Sequence, residues 1–237
     1  MVFDQAEFEI RCEWGRKGLE ALAPLSDVVV IVDVLSFSTA VDVALGRGGV
    51  VLPFPLKGDS AARYAASTGA ALASPDRGAG FSLSPASLQA IPRGLKLVLP
   101  SPNGAALCHS ARHTAVITAC LRNAARSAEA AMQLGRTFAV IPAGETWDDT
   151  SLRPCIEDLL GAGAVISALR GSRSPEACAA SAVFESLRPR LRDVLRACSS
   201  GKELIERGFD ADVDLAAELD TSFTVARCVG REIRRVG

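Results

Sequence analysis

The sequence predicts an α/β fold, a three-layer α/β/α arrangement around a largely parallel, mixed sheet. Three observations carry this. Strand-length apolar runs alternate with helix-length runs through residue 170, the pattern of strands joined by crossover helices. The run VVVIVDV (Val28 to Val34) is almost continuously apolar, as a central strand buried on both faces would be. Hydrophobic residues make up 49% of the 237 and aromatics only 5%. The core must therefore be built from Val, Leu, Ile and Ala, as in sheets covered by helices.

Taken in order, EFEIRCEW alternates apolar and polar residues, which predicts a half-buried strand at a sheet edge. After the 28–34 strand, FSTAVDVALGRGG reads as a helix stopped by glycines near Gly46 to Gly49. GVVLPF is a strand, and GDSAARYAASTGA a helix with Asp59 or Ser60 as its N-cap. Residues 74–92 are rich in Gly, Ser and Pro and long for a connection, which predicts a functional or mobile loop. LKLVLP, TAVITA and TFAVIPAG read as strands, with NGAALCHSA and RNAARSAEAAMQLG as the helices between them. A polar loop then leads to a long helix from Pro154, where proline fits the first turn. The last third, down to FTVARCVGREI, reads as mostly helical. No linker or repeat divides the chain, so residues 1–237 are read as one domain.

Composition excludes several roles. The net charge is −1 with 22% charged residues, and no long basic stretch is present, which argues against nucleic-acid binding. No run approaches the ~18 apolar residues of a membrane span. MVFDQAEFEIR lacks the apolar core of a secretory signal. The seven cysteines are scattered without a CxxC pair and read as reduced thiols of a cytoplasmic protein. His109 and His113 are four apart, but no third ligand accompanies them, so zinc is not favoured. A homo-oligomer is neither signalled nor excluded.

In open parallel sheets, ligands bind beyond the carboxyl ends of the strands. Those ends deliver Asp33, Ser36, Ser38 and Thr39; then Ser101, Asn103 and Gly104; then Cys120, Arg122 and Asn123; then Gly144 and Glu145. All four sets are expected on one rim. Small hydroxyls and helix-opening amides suit a phosphate. Asp33 and Glu145 suit a hard cation such as Mg²⁺. The hydroxyls and Asn103 also fit plain helix caps, and Glu157 and Asp158 also fit a helix dipole. Asp33 is harder to explain structurally, because a carboxylate ending five apolar residues is costly to bury unpaired. GxxxxGK[ST] and GxGxxG are both absent.

These motifs resemble the 2-phosphosulfolactate phosphatase (ComB-like) family across most of the chain. VVVIVDVLSFSTAV is similar to its strand–Asp–Val–Leu–Arg–Ala–Thr–Thr block, SPDRG to its Gly-Glu-Arg segment, and GFSLSP to its Asn-Ser-Pro loop. LPSPNGAAL, ACLRNAAR, IPAGE with CIEDLLGAGAVI, and GKELIERGFDADV match further blocks in order. The chain departs from the pattern at Ser36, where the family has Arg, at Asp76 for Glu, at Pro102 for Thr, and in a shorter Asn-Ser-Pro loop.

The resemblance implies an Mg²⁺-dependent phosphoric monoester hydrolase. Its substrate would be a small phosphorylated acid, 2-phosphosulfolactate, cleaved to 3-sulfolactate and phosphate in coenzyme M or sulfolactate metabolism. It implies Asp33, Asn103 and Glu145 as catalytic residues and Asp33, Glu157 and Asp158 as metal ligands. Ser36, Ser38, Thr39, Arg77, Ser101, Gly104 and Asn123 would hold the substrate. The polar rim itself predicts that residues 74–92 close over the pocket and bring Arg77 towards the ligand. Two rival readings keep the fold: a non-catalytic protein binding small anions, and a phosphatase for a non-sulfonated phosphoester.

Overall fold

The computed structural model describes residues 3–111 and 114–236. Its strands are β1 (Ile10–Cys12), β2 (Val28–Val32), β3 (Val50–Phe54), β4 (Ala71–Leu72), β5 (Lys96–Pro100), β6 (Ala115–Ala119), β7 (Phe138–Pro142), β8 (Glu145–Thr146), β9 (Leu152–Arg153), β10 (Ala226–Val229) and β11 (Glu232–Arg235). Its α-helices are α1 (Gly15–Leu22), α2 (Phe37–Gly46), α3 (Asp59–Thr68), α4 (Gly104–Ser110), α5 (Ala124–Leu134), α6 (Ile156–Ala168), α7 (Pro175–Leu187), α8 (Leu191–Ala197), α9 (Ser199–Glu206) and α10 (Asp210–Ala216).

Residues Val28–Val32 are β-branched throughout, which favours a pleated strand with both faces packed. The strand is fully buried and pairs in parallel with β6 on one side and β7 on the other. Val28, Val30 and Val32 pack beneath α5, α6 and α7, while Val29 and Ile31 pack beneath α2 and α4. Helices thus cover both faces, giving the three-layer α/β/α fold. Gly163 lets α6 and α7 meet closely, since a Cβ there would lie 2.2 Å from the Ala180 carbonyl oxygen.

Nine strands form one sheet in the order β1-β7-β2-β6-β10-β11-β3-β5-β4. β1 lies at an edge, where the alternation of EFEIRC placed it. β1, β7, β2 and β6 run parallel, as do β3, β5 and β4. Between the blocks sit β10 and β11, with antiparallel pairings at β6/β10, β10/β11 and β11/β3. Three reversals leave the two parallel blocks running in opposite directions. The four strand ends therefore do not share a simple rim. Val29 and Ile31 of β2, Val51 of β3 and Leu97 and Leu99 of β5 nevertheless pack in one cluster with α2. α2 is buried from Phe37 to Leu45. This helix packs against β6, β10, β11 and β3, strands of both blocks and of the hairpin between them, and the ends of β2 and β5 meet where Gly104 donates to Asp33.

Two segments differ from the sequence reading. FTVARCVGREI contains the β10–β11 hairpin rather than a helix. Gly230 supplies the turn at φ +62, and Ala226 and Ile233 face the core. Pairing with β6 and β3 overrides the local helical tendency. The polar loop after β7 holds a two-stranded ribbon, β8–β9, in which Glu145 stands opposite Arg153. No helix of the described residues is long and apolar enough to cross a membrane.

Candidate active site

Asp33 follows β2 and is 5% exposed. One oxygen accepts the Phe37 N–H at 3.0 Å and the other the Gly104 N–H at 2.9 Å. The amides that open α2 and α4, expected from the sequence to face a phosphate, are taken by the protein's own carboxylate. Gly104 has to be glycine, because a Cβ would sit 2.4 Å from Phe37 Cδ1 and 2.7 Å from Asp33 Oδ2.

Asp158, in the first turn of α6, repeats this arrangement. Its oxygens accept the Val34 N–H at 2.7 Å and the Gly144 N–H at 2.8 Å. It thereby ties α6 to the turns after β2 and β7. Glu157 beside it is also buried. Glu145 is partly exposed, and its Oε1 accepts the Asn103 side-chain amide at 2.9 Å and the Thr146 N–H at 2.8 Å.

Asp33 and Asp158 both hold a proton more tightly than an ordinary carboxylate. Burial pushes Asp33 up to about 6, its two amide bonds oppose this, and the charges of Glu145 and Glu157 add to the rise. Asp158 is held well above the usual carboxylate range, by burial first and then by Asp33 and Glu157. Arg77 pairs with Asp212, and among the described residues no cation forms an ion pair with the cluster, a condition that favours a proton or a cation. Hard oxygen donors of this kind fit Mg²⁺. Among the described residues no three His, Cys, Asp or Glu side chains are grouped as a ready metal cage. Mg²⁺ tolerates this, since it commonly uses one or two carboxylates and completes its shell with water and substrate oxygens.

A cleft of about 440 Å³ opens beside the cluster, lined in part by Leu35, Arg77, Glu145 and Arg153. Arg77 is already at the cleft. Its guanidinium donates to Ser36 Oγ at 2.5 and 3.2 Å and to the Leu83 carbonyl, and it pairs with Asp212 at 3.1 Å. The neutral Ser36 thus has a cation bonded to it. Asp212 also accepts the Ser84 hydroxyl at 2.6 Å and the Ala86 N–H at 2.9 Å. Leu88 is fully buried. Residues 74–92 are therefore docked onto α10 rather than hanging free as a lid.

The remaining sequence candidates lie behind this surface. Ser38 Oγ accepts the Asp33 N–H and donates to Ile31 O. Thr39 Oγ1 donates to Val34 O at 2.7 Å. Ser101 Oγ accepts the Asn103 N–H at 3.3 Å. These three hydroxyls brace the site's backbone. Asn123 has both side-chain polar groups engaged within the protein. It is fully buried, its carbonyl accepts the Cys120 N–H at 2.9 Å, and its amide donates to Thr224 O at 3.1 Å. The neighbouring Arg122 pairs with Asp42 at 2.9 Å and with Glu218. The turn after β6 thus anchors the C-terminal segment. His113 of the histidine pair lies outside the described residues.

A family model described as 2-phosphosulpholactate phosphatase matches residues 18–230. The chain belongs to the 2-phosphosulfolactate phosphatase family. A probable 2-phosphosulfolactate phosphatase of Gloeobacter violaceus is 30% identical over 136 residues, covering 56% of this chain and 56% of that protein. The span matched to the family includes every residue of the carboxylate cluster and of the cleft wall described above.

Sequence reasoning missed Arg153 and Asp212. Arg153 lies in what read as a polar loop. Its signal was the short ribbon, whose two-residue strands are below the length at which alternation is readable. Asp212 stands in GFDADV, a block matched to the family as a whole but from which no residue was singled out.

Proposed function

We propose that this protein is a phosphatase that hydrolyses 2-phosphosulfolactate to 3-sulfolactate and inorganic phosphate. Family membership supports the reaction class. The single structural observation that carries the reading is a carboxylate, Glu145, held by Asn103 on a cleft it shares with Arg77. The cation there suits an anionic phosphoester, and the carboxylate suits proton transfer. Glu145 takes a proton from an attacking water as the water oxygen bonds to phosphorus and the ester P–O bond breaks, and it returns that proton to the departing alkoxide oxygen of 3-sulfolactate. Asn103 fixes the Glu145 carboxylate, and Asp33 fixes the Gly104 backbone beside Asn103. Arg77 offsets charge on the phosphoryl oxygens.

We further propose that the enzyme uses Mg²⁺, held by one or two of Asp33, Glu157 and Asp158. When bound, the ion would neutralise phosphoryl oxygens. The seven cysteines are all free thiols, which supports a cytoplasmic location.

Purified protein with Mg²⁺ should release phosphate from 2-phosphosulfolactate, and EDTA should abolish the release. Glu145→Gln should remove turnover while leaving the protein folded. Absence of phosphate release across a broad panel of phosphoesters would reject the reading in favour of anion binding alone.

A further inference from the structure

The cations of the cleft are not equivalent. Arg77 is paired with Asp212, and Arg207 with Glu203 at 3.0 Å. Their guanidiniums share the Phe209 ring, at 5.6 and 5.7 Å from its centroid. Lys57 is solvent-exposed. Arg153 is different. It is half-buried and lines the cleft, yet among the described residues no carboxylate pairs with it. One guanidinium nitrogen donates to Ser200 Oγ at 3.1 Å, and the group lies 5.6 Å from the centroid of the Trp147 ring. An Arg has five donors in a rigid fork, and most of these remain free.

Its position is also fixed relative to the chemistry. Arg153 is the register partner of Glu145 across the β8–β9 ribbon. Directly opposed residues project from the same face of a ribbon. Glu145 is engaged with Asn103 and Thr146 instead of Arg153. A held, unpaired guanidinium next to the cleft carboxylate is preorganised for an anion supplied by a ligand.

We propose that Arg153 anchors a second acid group, a carboxylate or sulfonate, carried on the same molecule as the phosphate. Arg153 then sets specificity: it selects phosphorylated acids over phosphate esters of neutral alcohols. The assignment of the phosphate to the Glu145 and Arg77 side rests on the proposed function. The anchor itself does not need turnover to be tested.

The test has a binding arm and a kinetic arm. In calorimetric titrations, the parent protein should bind 3-sulfolactate. Arg153→Ala should weaken that binding roughly 10- to 100-fold, the worth of a charge-assisted contact. Binding of inorganic phosphate should change by less than about threefold, since only one anion loses its partner. Arg153→Lys, which keeps the charge and loses the fork, should fall between the two. In turnover, Arg153→Ala should lower kcat/KM for 2-phosphosulfolactate and 2-phospholactate but not for glycerol phosphate. The idea is overturned if the parent fails to bind 3-sulfolactate, if Arg153→Ala binds it normally, or if that variant loses phosphate equally. Sulfolactate binding that depends on Arg153 in a protein that releases no phosphate would uphold the anchor and reject the phosphatase.

Discussion

Asp33 accepts the Gly104 N–H at 2.9 Å, although the strands that deliver the two residues run in opposite directions. β2 and β5 belong to the two parallel blocks separated by the β10–β11 hairpin. The bond joins the two blocks beside α2, and it couples Asp33 to the turn that carries Asn103. Asn103 in turn holds Glu145. Two hydrogen bonds, joined through the Asn103–Gly104 peptide, thus link a buried strand end to the carboxylate on the cleft.

Gly104→Ala tests that chain. The new methyl would meet Phe37 Cδ1 at 2.4 Å and Asp33 Oδ2 at 2.7 Å, and neither neighbour can retreat within the packed α2 cluster. We expect a loss of about 1–3 kcal/mol, typical of overpacking, read as a lower urea midpoint. Phosphate release should fall at least tenfold, because Asn103 moves with the displaced turn. An unchanged urea midpoint would mean that the turn has room the present packing does not show.

The second prediction concerns pH. Burial raises Asp33 from 3.8 to about 6, so the folded state holds this proton more tightly than the unfolded chain does. The stability it contributes is full below about pH 4 and is lost as pH rises through about 6. In EDTA, the urea midpoint of the parent should decline across that window. Asp33→Asn should flatten the decline, and the slope is the readout, since the substitution also disturbs an amide bond. With Mg²⁺ the trend should reverse, because a cation binds the deprotonated cluster. The thermal shift produced by Mg²⁺ should therefore grow between pH 5 and pH 7.5.

Asn123 shows how much of the site was legible. The strand ends were readable because β2, β5, β6 and β7 are largely apolar runs, and Asp33, Asn103 and Glu145 followed from them, while Glu157 and Asp158 came from the family resemblance. What the pattern could not show is which way each turn faces. The turn after β6 points to the C-terminal segment, because β10 pairs with β6. That pairing depends on a hairpin far along the chain, whose apolar alternation is weak. Arg153 and Asp212 were missed for a related reason. Both act through contacts distant in sequence, Asp212 with Arg77 and Arg153 with Ser200, and periodicity carries no information about such pairs. The consequence is measurable. Asn123→Ala should cost about 1–3 kcal/mol for each buried group left without a partner and leave KM unchanged. A raised KM at constant stability would give Asn123 a part in substrate binding.

Asp212 carries the last prediction. Its side chain is 1% exposed and that of Arg77 9% exposed. One Asp212 oxygen takes Ser84 and Ala86, and the other takes Arg77. Removing one member of a buried ion pair leaves the other charge stranded, at a cost of about 3–5 kcal/mol. Asp212→Ala should therefore release residues 74–92 from α10, seen as faster amide hydrogen exchange confined to that segment and α10. Arg77 would lose its fixed place on Ser36, so KM should rise more than kcat falls. Asp212→Asn keeps the acceptor for Ser84 and Ala86 but loses the charge. It should hold the loop while still raising KM. If Asp212→Asn frees the loop as fully as alanine does, the ion pair with Arg77 anchors it, and the bonds to Ser84 and Ala86 are secondary.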